Sequence, residues 1–177
     1  LNKKIFSTAN VPYKIKDDDE ILKDPKNTID FDHTLHSKIM NDVKKMGTDA
    51  RLVLDQGQVV HVSMAEKLLV LQLSKLSHFI PDGGIWLNTQ RPEWNDANNA
   101  LVGYGVSMVT LYYLNRHILF INKVLASVNE TEFKISNEVL AWFRDTKETY
   151  KKYLPAINKK LDPLKRKTFV QGLQKNF

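Results

Sequence analysis

The sequence predicts a mainly α-helical protein, built of antiparallel helical layers with one short β-hairpin. Three observations predict it. Apolar residues recur at helical spacing over several long stretches, two of those stretches are apolar on most sides, and short connections bearing Gly, Pro and Asn separate them. With 42% hydrophobic and 26% charged residues in 177, the chain has the composition of a globular domain that can bury a core.

Residues 1–31 read as an irregular arm or connecting segment, because Pro12, Pro25 and the acidic run Asp17 to Glu20 interrupt any period. Residues 32–177 read as the helical domain. Leu35, Ile39, Val43 and Met46 stand at helical spacing, with Asp32 placed as N-cap and Gly47 as the C′ glycine. Residues 51–62 carry Leu52 to Leu54 and Val59 to Val62 around Gly57, the pattern of a hairpin. Ser63 and Glu66 form a capping box, in which the hydroxyl accepts from the Glu66 amide and the carboxylate returns to the Ser63 amide. The helix it opens carries Leu68, Leu69, Val70, Leu71, Leu73 and Leu76, so burial on several sides is expected. Residues 98–127 read as a second internal helix, interrupted only by Gly103 and Gly105. Ser136 then caps a helix with Ile135 and Leu140 in the positions of a hydrophobic staple, and Pro155 is expected to end it. Asp162 and Pro163 restart a helix as N-cap and N1.

Composition also narrows the partners. Without cysteine there is no disulfide and no thiolate metal site. The apolar runs 67–76 and 105–125 are too short or too interrupted to span a bilayer, so no membrane partner is expected. From Ala141 to Phe177 ten Lys/Arg face three Asp/Glu, a local excess of seven. Those charges are spread through amphipathic helical sequence and lack any zinc-finger or aromatic-glycine pattern, so they read as solvated helix faces and no nucleic acid is expected. The start at Leu1 and the irregular opening suggest a piece of a longer protein, with contacts to other parts of that chain.

The chemistry concentrates between the two apolar helices, in residues 81–99. Trp86, Arg91, Glu93, Trp94, Asn95, Asp96, Asn98 and Asn99 crowd amides, carboxylates, a guanidinium and indoles into one segment. Indole faces stack on the C–H faces of pyranose rings, while Asn, Asp, Glu and Arg make directional hydrogen bonds to hydroxyls. A carboxylic acid beside an apolar wall can be raised in pKa until it protonates a leaving glycosidic oxygen. The expected partner is therefore an oligosaccharide or glycoside, with no cofactor and no metal.

Glu93, Trp94, Asn95 and Asp96 followed by Ala97, Asn98 and Asn99 resemble the Asp-Trp-Asn-Asp-Gly-x-Asn motif of cellobiose and chitobiose phosphorylases. The resemblance covers about nine positions and implies a glucoamylase-type (α/α)₆ toroid. It further implies that Asp96, at the motif's second aspartate, is the general acid, and that Trp94 lines the subsite of the sugar whose bond is broken. Glu93 and Ala97 depart from the family's aspartate and glycine, and Arg91 with Pro92 replaces its Gly-rich lead-in. No phosphate-binding segment is recognisable, so this chain does not itself support phosphorolysis; hydrolase and phosphorylase types both remain readings of the whole protein. An inverting hydrolase needs a second carboxylate about 6.5–9.5 Å from the acid. On one helical turn Glu93 would lie only about 5–6 Å from Asp96.

The same letters admit a structural reading. Trp94 would be a core anchor, and Asp96 with its neighbouring asparagines would cap the following helix. A non-catalytic helical domain that binds sugar or protein is thus the alternative function, and a basic module for an acidic partner a third. Elsewhere, Asp30, Asp32, His33 and His36 stand close in sequence, and His33 and His36 at i, i+3 could share a ligand-bearing face, but Asp32 as an N-cap explains the same cluster. His61, His78 and His117 stand alone and read as structural. Tyr112, Tyr113 and Trp142 read as core.

Overall fold

The computed structural model describes residues 1–88, 100–157, 159 and 161–176, the side chain of Asp18 excepted. Among them it is mainly helical, with small antiparallel sheets. Its helices are α1 (Asp18–Lys23), α2 (His33–Met46), α3 (Met64–Leu76), α4 (Met108–Ser127), α5 (Asn137–Ile157) and α6 (Pro163–Gln174). Its strands are β1 (Lys4–Phe6), β2 (Tyr13–Ile15), β3 (Ile29–Phe31), β4 (Leu54–Asp55), β5 (Gln58–Val59), β6 (Val62–Ser63), β7 (Phe79–Ile80), β8 (Gly84–Trp86) and β9 (Val106–Ser107).

Local chemistry sets several boundaries where the sequence puts them. Asp32 Oδ1 accepts from the Leu35 amide at 2.8 Å, and Gly47 closes α2 at φ +80°. Asp162 Oδ1 likewise accepts from Lys165 N at 3.0 Å, with Pro163 in the first turn of α6. That hydrogen bond holds the Asp162 carboxyl below its ordinary pKa. In the hairpin, Leu54 faces Val59 across a turn whose central residues Gln56 (φ 48°) and Gly57 (φ 80°) are both left-handed, as a two-residue type I′ connection requires.

Other boundaries differ. Residues 1–31, an irregular arm by sequence, hold three strands and α1, because their pairing partners supply order that no local period announces. β1 runs antiparallel to β6, and β2 to β3. The single hairpin of the sequence reading is one of four small antiparallel sheets among the described residues. The expected helix over 98–127 is broken. Gly103 (φ +80°) turns the chain so close to Pro25 that a Cβ there would lie 1.6 Å from the Pro25 carbonyl oxygen. β9 follows, and α4 begins only at its own N-cap, Ser107. Pro155 does not end α5; it sits within the last turn, and the helix runs to Ile157. The capping box is half formed: Ser63 Oγ accepts from Glu66 N at 3.1 Å, but the Glu66 carboxylate turns to α5. There it accepts from Ser136 N at 2.9 Å and Ser136 Oγ at 2.8 Å. Ser63 Oγ in turn donates to Lys134 O at 2.7 Å. The N-termini of α3 and α5 are thereby tied by a buried carboxylate whose acceptors are filled.

α3 packs between α4 and α5, α5 packs on α6, and the sheet β7–β8–β9 lies against α4 and α6. The core gathers at these junctions, around Leu73, Ile85, Val102, Leu114, Phe169 and Leu173. Phe169 meets the rings of Tyr150 and Tyr153 edge-on at 5.3 and 5.4 Å, an arrangement that adds about 0.5–1.5 kcal/mol per pair beyond area burial. Trp142 donates to Ser77 Oγ and Tyr150 to Leu76 O, so α5 is fastened to the end of α3 by polar as well as apolar contacts.

The two apolar helices are less enclosed than their composition predicts. On α3, Leu73 is 2% exposed but Leu71 is 57% exposed. On α4, Leu114 faces the core while Val109, Tyr112, Tyr113, Leu119 and Phe120 lie exposed. The tyrosines are therefore surface rather than core residues, and the Arg116 guanidinium lies 5.6 Å from the Tyr113 ring centre. Spacings of three and four residues put Val109, Tyr112, Tyr113, Arg116 and Phe120 on one stripe. No helix among the described residues is long and apolar enough to cross a membrane.

Candidate functional site

The sheet β7–β8–β9 carries the residues on either side of segment 89–99. Its first turn is held by Asp82 (φ 60°), whose carboxylate pairs with Arg166 of α6 at 2.9 Å. At the segment's feet, Leu87 N donates to Gly105 O at 3.0 Å and Gly103 N donates to Leu87 O at 2.7 Å. Beside them Val102 is buried.

Trp86, at the end of β8, is the sequence-predicted sugar contact that lies in the described structure. Its indole Nε1–H donates to Gly103 O at 3.1 Å, so one edge of the ring is anchored. The other residues singled out for this site, Arg91, Glu93, Trp94, Asn95, Asp96, Asn98 and Asn99, lie outside the described residues.

Next to Trp86 stands His78, whose ring centre is 5.9 Å away. His78 is buried just beyond the C-terminus of α3, with Nδ1 2.7 Å from Ser74 O and Nε2 2.7 Å from Asn88 Nδ2. A carbonyl only accepts and an amide NH₂ only donates, so Nδ1 carries the proton and Nε2 is the acceptor. Burial lowers the His78 pKa below its ordinary 6.5; the Ser74 hydrogen bond raises it in part, and Lys75 lowers it further. The imidazole is neutral at pH 7 and orients the Asn88 side chain, one residue before the segment begins. The sequence reading of His78 as structural fits its hydrogen bonds to Ser74 and Asn88, but nothing in the sequence links it to Asn88.

Two clefts open beside this cluster and share Ile21, Trp86, Gln171 and Gln174 as walls. The wider, about 920 Å³, is bordered by Tyr13, Lys14, Lys16, Asp17, Asp19 and His78, among others. The narrower, about 380 Å³, is mostly apolar. Residues 1–31 thus contribute one wall and α6 another. Sequence reasoning missed both. Gln171 and Gln174 on α6, with Lys175 as its C-cap, do form a polar set at helical spacing, the one signal that could have drawn notice.

The histidine and aspartate cluster at the start of α2 has a structural account. Asp32 is the N-cap, Asp30 lies 3.7 Å from Lys16 Nζ, and the His33 and His36 rings pack on Phe31 at 4.9 and 5.4 Å.

No protein family and no curated protein matches this chain.

Proposed function

We propose that this chain belongs to a carbohydrate-active protein that acts on glycosidic bonds, by hydrolysis or phosphorolysis, with Asp96 as general acid. In this reading Trp94 is the sugar platform, Arg91, Asn95, Asn98 and Asn99 bind hydroxyls, and Glu93 is the neighbouring carboxylate. The observation that carries it is one of placement. In sequence the phosphorylase-like motif begins at Glu93, five residues after Asn88, and Trp86 and the His78–Asn88 pair stand beside a cleft of about 920 Å³, large enough for a di- or trisaccharide. A fixed indole bordered by amides and charges is what a pyranose needs: an apolar face to stack on and hydrogen-bond partners at its rim.

The toroid belongs to the same proposal. The exposed stripe on α4 and the exposed Leu71 are surfaces that a second layer of helices would cover. An (α/α)₆ toroid has more helices than the described residues supply.

The test is turnover of gluco- and chito-disaccharides, with and without phosphate, by the full-length protein and two variants. Asp96→Asn removes the transferable proton and keeps the shape, so cleavage should fall about 10²–10⁴-fold with the melting point unchanged. Trp94→Ala should raise KM before it lowers kcat. Full activity in Asp96→Asn would end the catalytic assignment, and Asp96 would be read as a cap, a role Asn fills equally well. Saccharide binding with no turnover of any substrate would favour the non-catalytic sugar-binding domain.

A further inference from the structure

The narrower cleft shares Trp86 with the wider one but not His78, and its chemistry is different. Leu22 and Pro25, Ile80, and Val170 of α6 all line it, so three separate parts of the chain present apolar surface to the same space. Arg166 and Lys167 border it, and none of its lining residues is acidic. Lys167 is exposed and forms no ion pair among the described residues. Arg166 pairs with Asp82 through Nη2, which also reaches Leu161 O at 3.4 Å, so Lys167 is the cation left for a ligand at the edge and Arg166 adds its charge beside it.

We propose that this cleft binds a small amphipathic carboxylate. Its apolar body would lie between Leu22, Pro25, Ile80 and Val170, and its carboxylate at the edge beside Lys167 and Arg166. The volume of about 380 Å³ suits a medium-chain aliphatic acid or a one- or two-ring aromatic acid. A free saccharide fits poorly here, because apolar walls would strip water from its hydroxyls without replacing the hydrogen bonds. A cationic ligand meets only like charge. A neutral apolar ligand would gain the same burial but leave Lys167 unused. The site is independent of the glycosidic reading and stands or falls without it.

Three probes of one body and different heads separate these cases: octanoate, octanol and octylammonium, each below its micellar range. Binding is followed through the Trp86 Nε1–H resonance of the ¹⁵N-labelled chain. Octanoate should shift that resonance most and octylammonium least. Lys167→Glu should weaken octanoate about three- to tenfold while octanol is unaffected, because a solvent-edge ion pair is modest and screened. Val170→Trp, which fills the cleft, should abolish both, and circular dichroism of each variant checks that the helices persist. The proposal is overturned if octanoate and octanol bind alike, if Lys167→Glu leaves octanoate affinity unchanged in a folded protein, or if millimolar octanoate leaves Trp86 undisturbed.

Discussion

α4 and α6 exchange the roles that their compositions suggest. α4 is apolar through most of its twenty residues, yet it exposes Val109, Tyr112, Tyr113, Leu119 and Phe120 and buries only Leu114. α6 is short and basic, with Lys165, Arg166 and Lys167 in its first turns, yet it supplies Phe169 and Leu173, both 0% exposed. The difference lies in the neighbours. α6 is closed over by α5 and β7, whereas α4 meets α3 and β8 on one side and no described element covers the other. Hydropathy measures how much a helix gains from burial; the packing of other elements decides whether it is buried.

Core truncations test the comparison most severely. Phe169→Ala should cost about 3–5 kcal/mol, since a filled aromatic site becomes a cavity. Phe120→Ala, on the exposed stripe of α4, should stay within about 0.5 kcal/mol in this chain. The same contrast recurs within α3, where Leu73→Ala should cost about 2–5 kcal/mol and Leu71→Ala far less. Denaturant midpoints measure all four. A large loss for Phe120→Ala would mean that the stripe is covered, by a second copy or by residues outside those described.

Smaller effects sharpen it at the junctions. Glu66→Ala removes the acceptor that Ser136 N and Oγ share and leaves buried donors unmet, so it should cost about 1–3 kcal/mol. A double-mutant cycle with Ser136→Ala should show coupling between the two sites. Additivity would argue that the α3–α5 tie carries no energy.

The His78 pair makes a pH-dependent contribution whose sign is fixed. Its folded pKa lies below its ordinary 6.5, so between those two values the unfolded chain binds more protons than the folded one. Stability is therefore fully present above about pH 6.5 and declines as pH falls toward the folded value, below which the loss stops growing. Unfolding midpoints from about pH 8 to about pH 5 should show this decline in the parent, and His78→Gln should flatten it. Equal slopes in both proteins would remove His78 as the cause. At the start of α2, Asp32→Ala should cost about 0.5–2 kcal/mol by uncapping the helix, while Asp32→Asn should cost little.

What the sequence determined by itself is local. Asp32, Ser63 and Asp162 announce helix starts because a short side chain at an N-cap satisfies amides two or three residues on. Gly57 between β-branched runs announces the hairpin because few other residues accept its backbone angles. The run of amides, carboxylates and indoles from Trp86 to Asn99 is likewise visible in the sequence as residue types, and Trp86 lies among the described residues. Tertiary structure decided whatever depends on a partner distant in sequence. Glu66 looks like the second half of a capping box, but its carboxylate crosses to Ser136, seventy residues away, because two helix N-termini meet there. Gly103 looks like a kink within a helix, but Pro25 presses against it and the chain turns instead. β1 to β3, the two clefts and the exposure of α4 have no local period to betray them. Strand pairing, concavity and burial are properties of two surfaces in contact, and a sequence displays each surface one at a time.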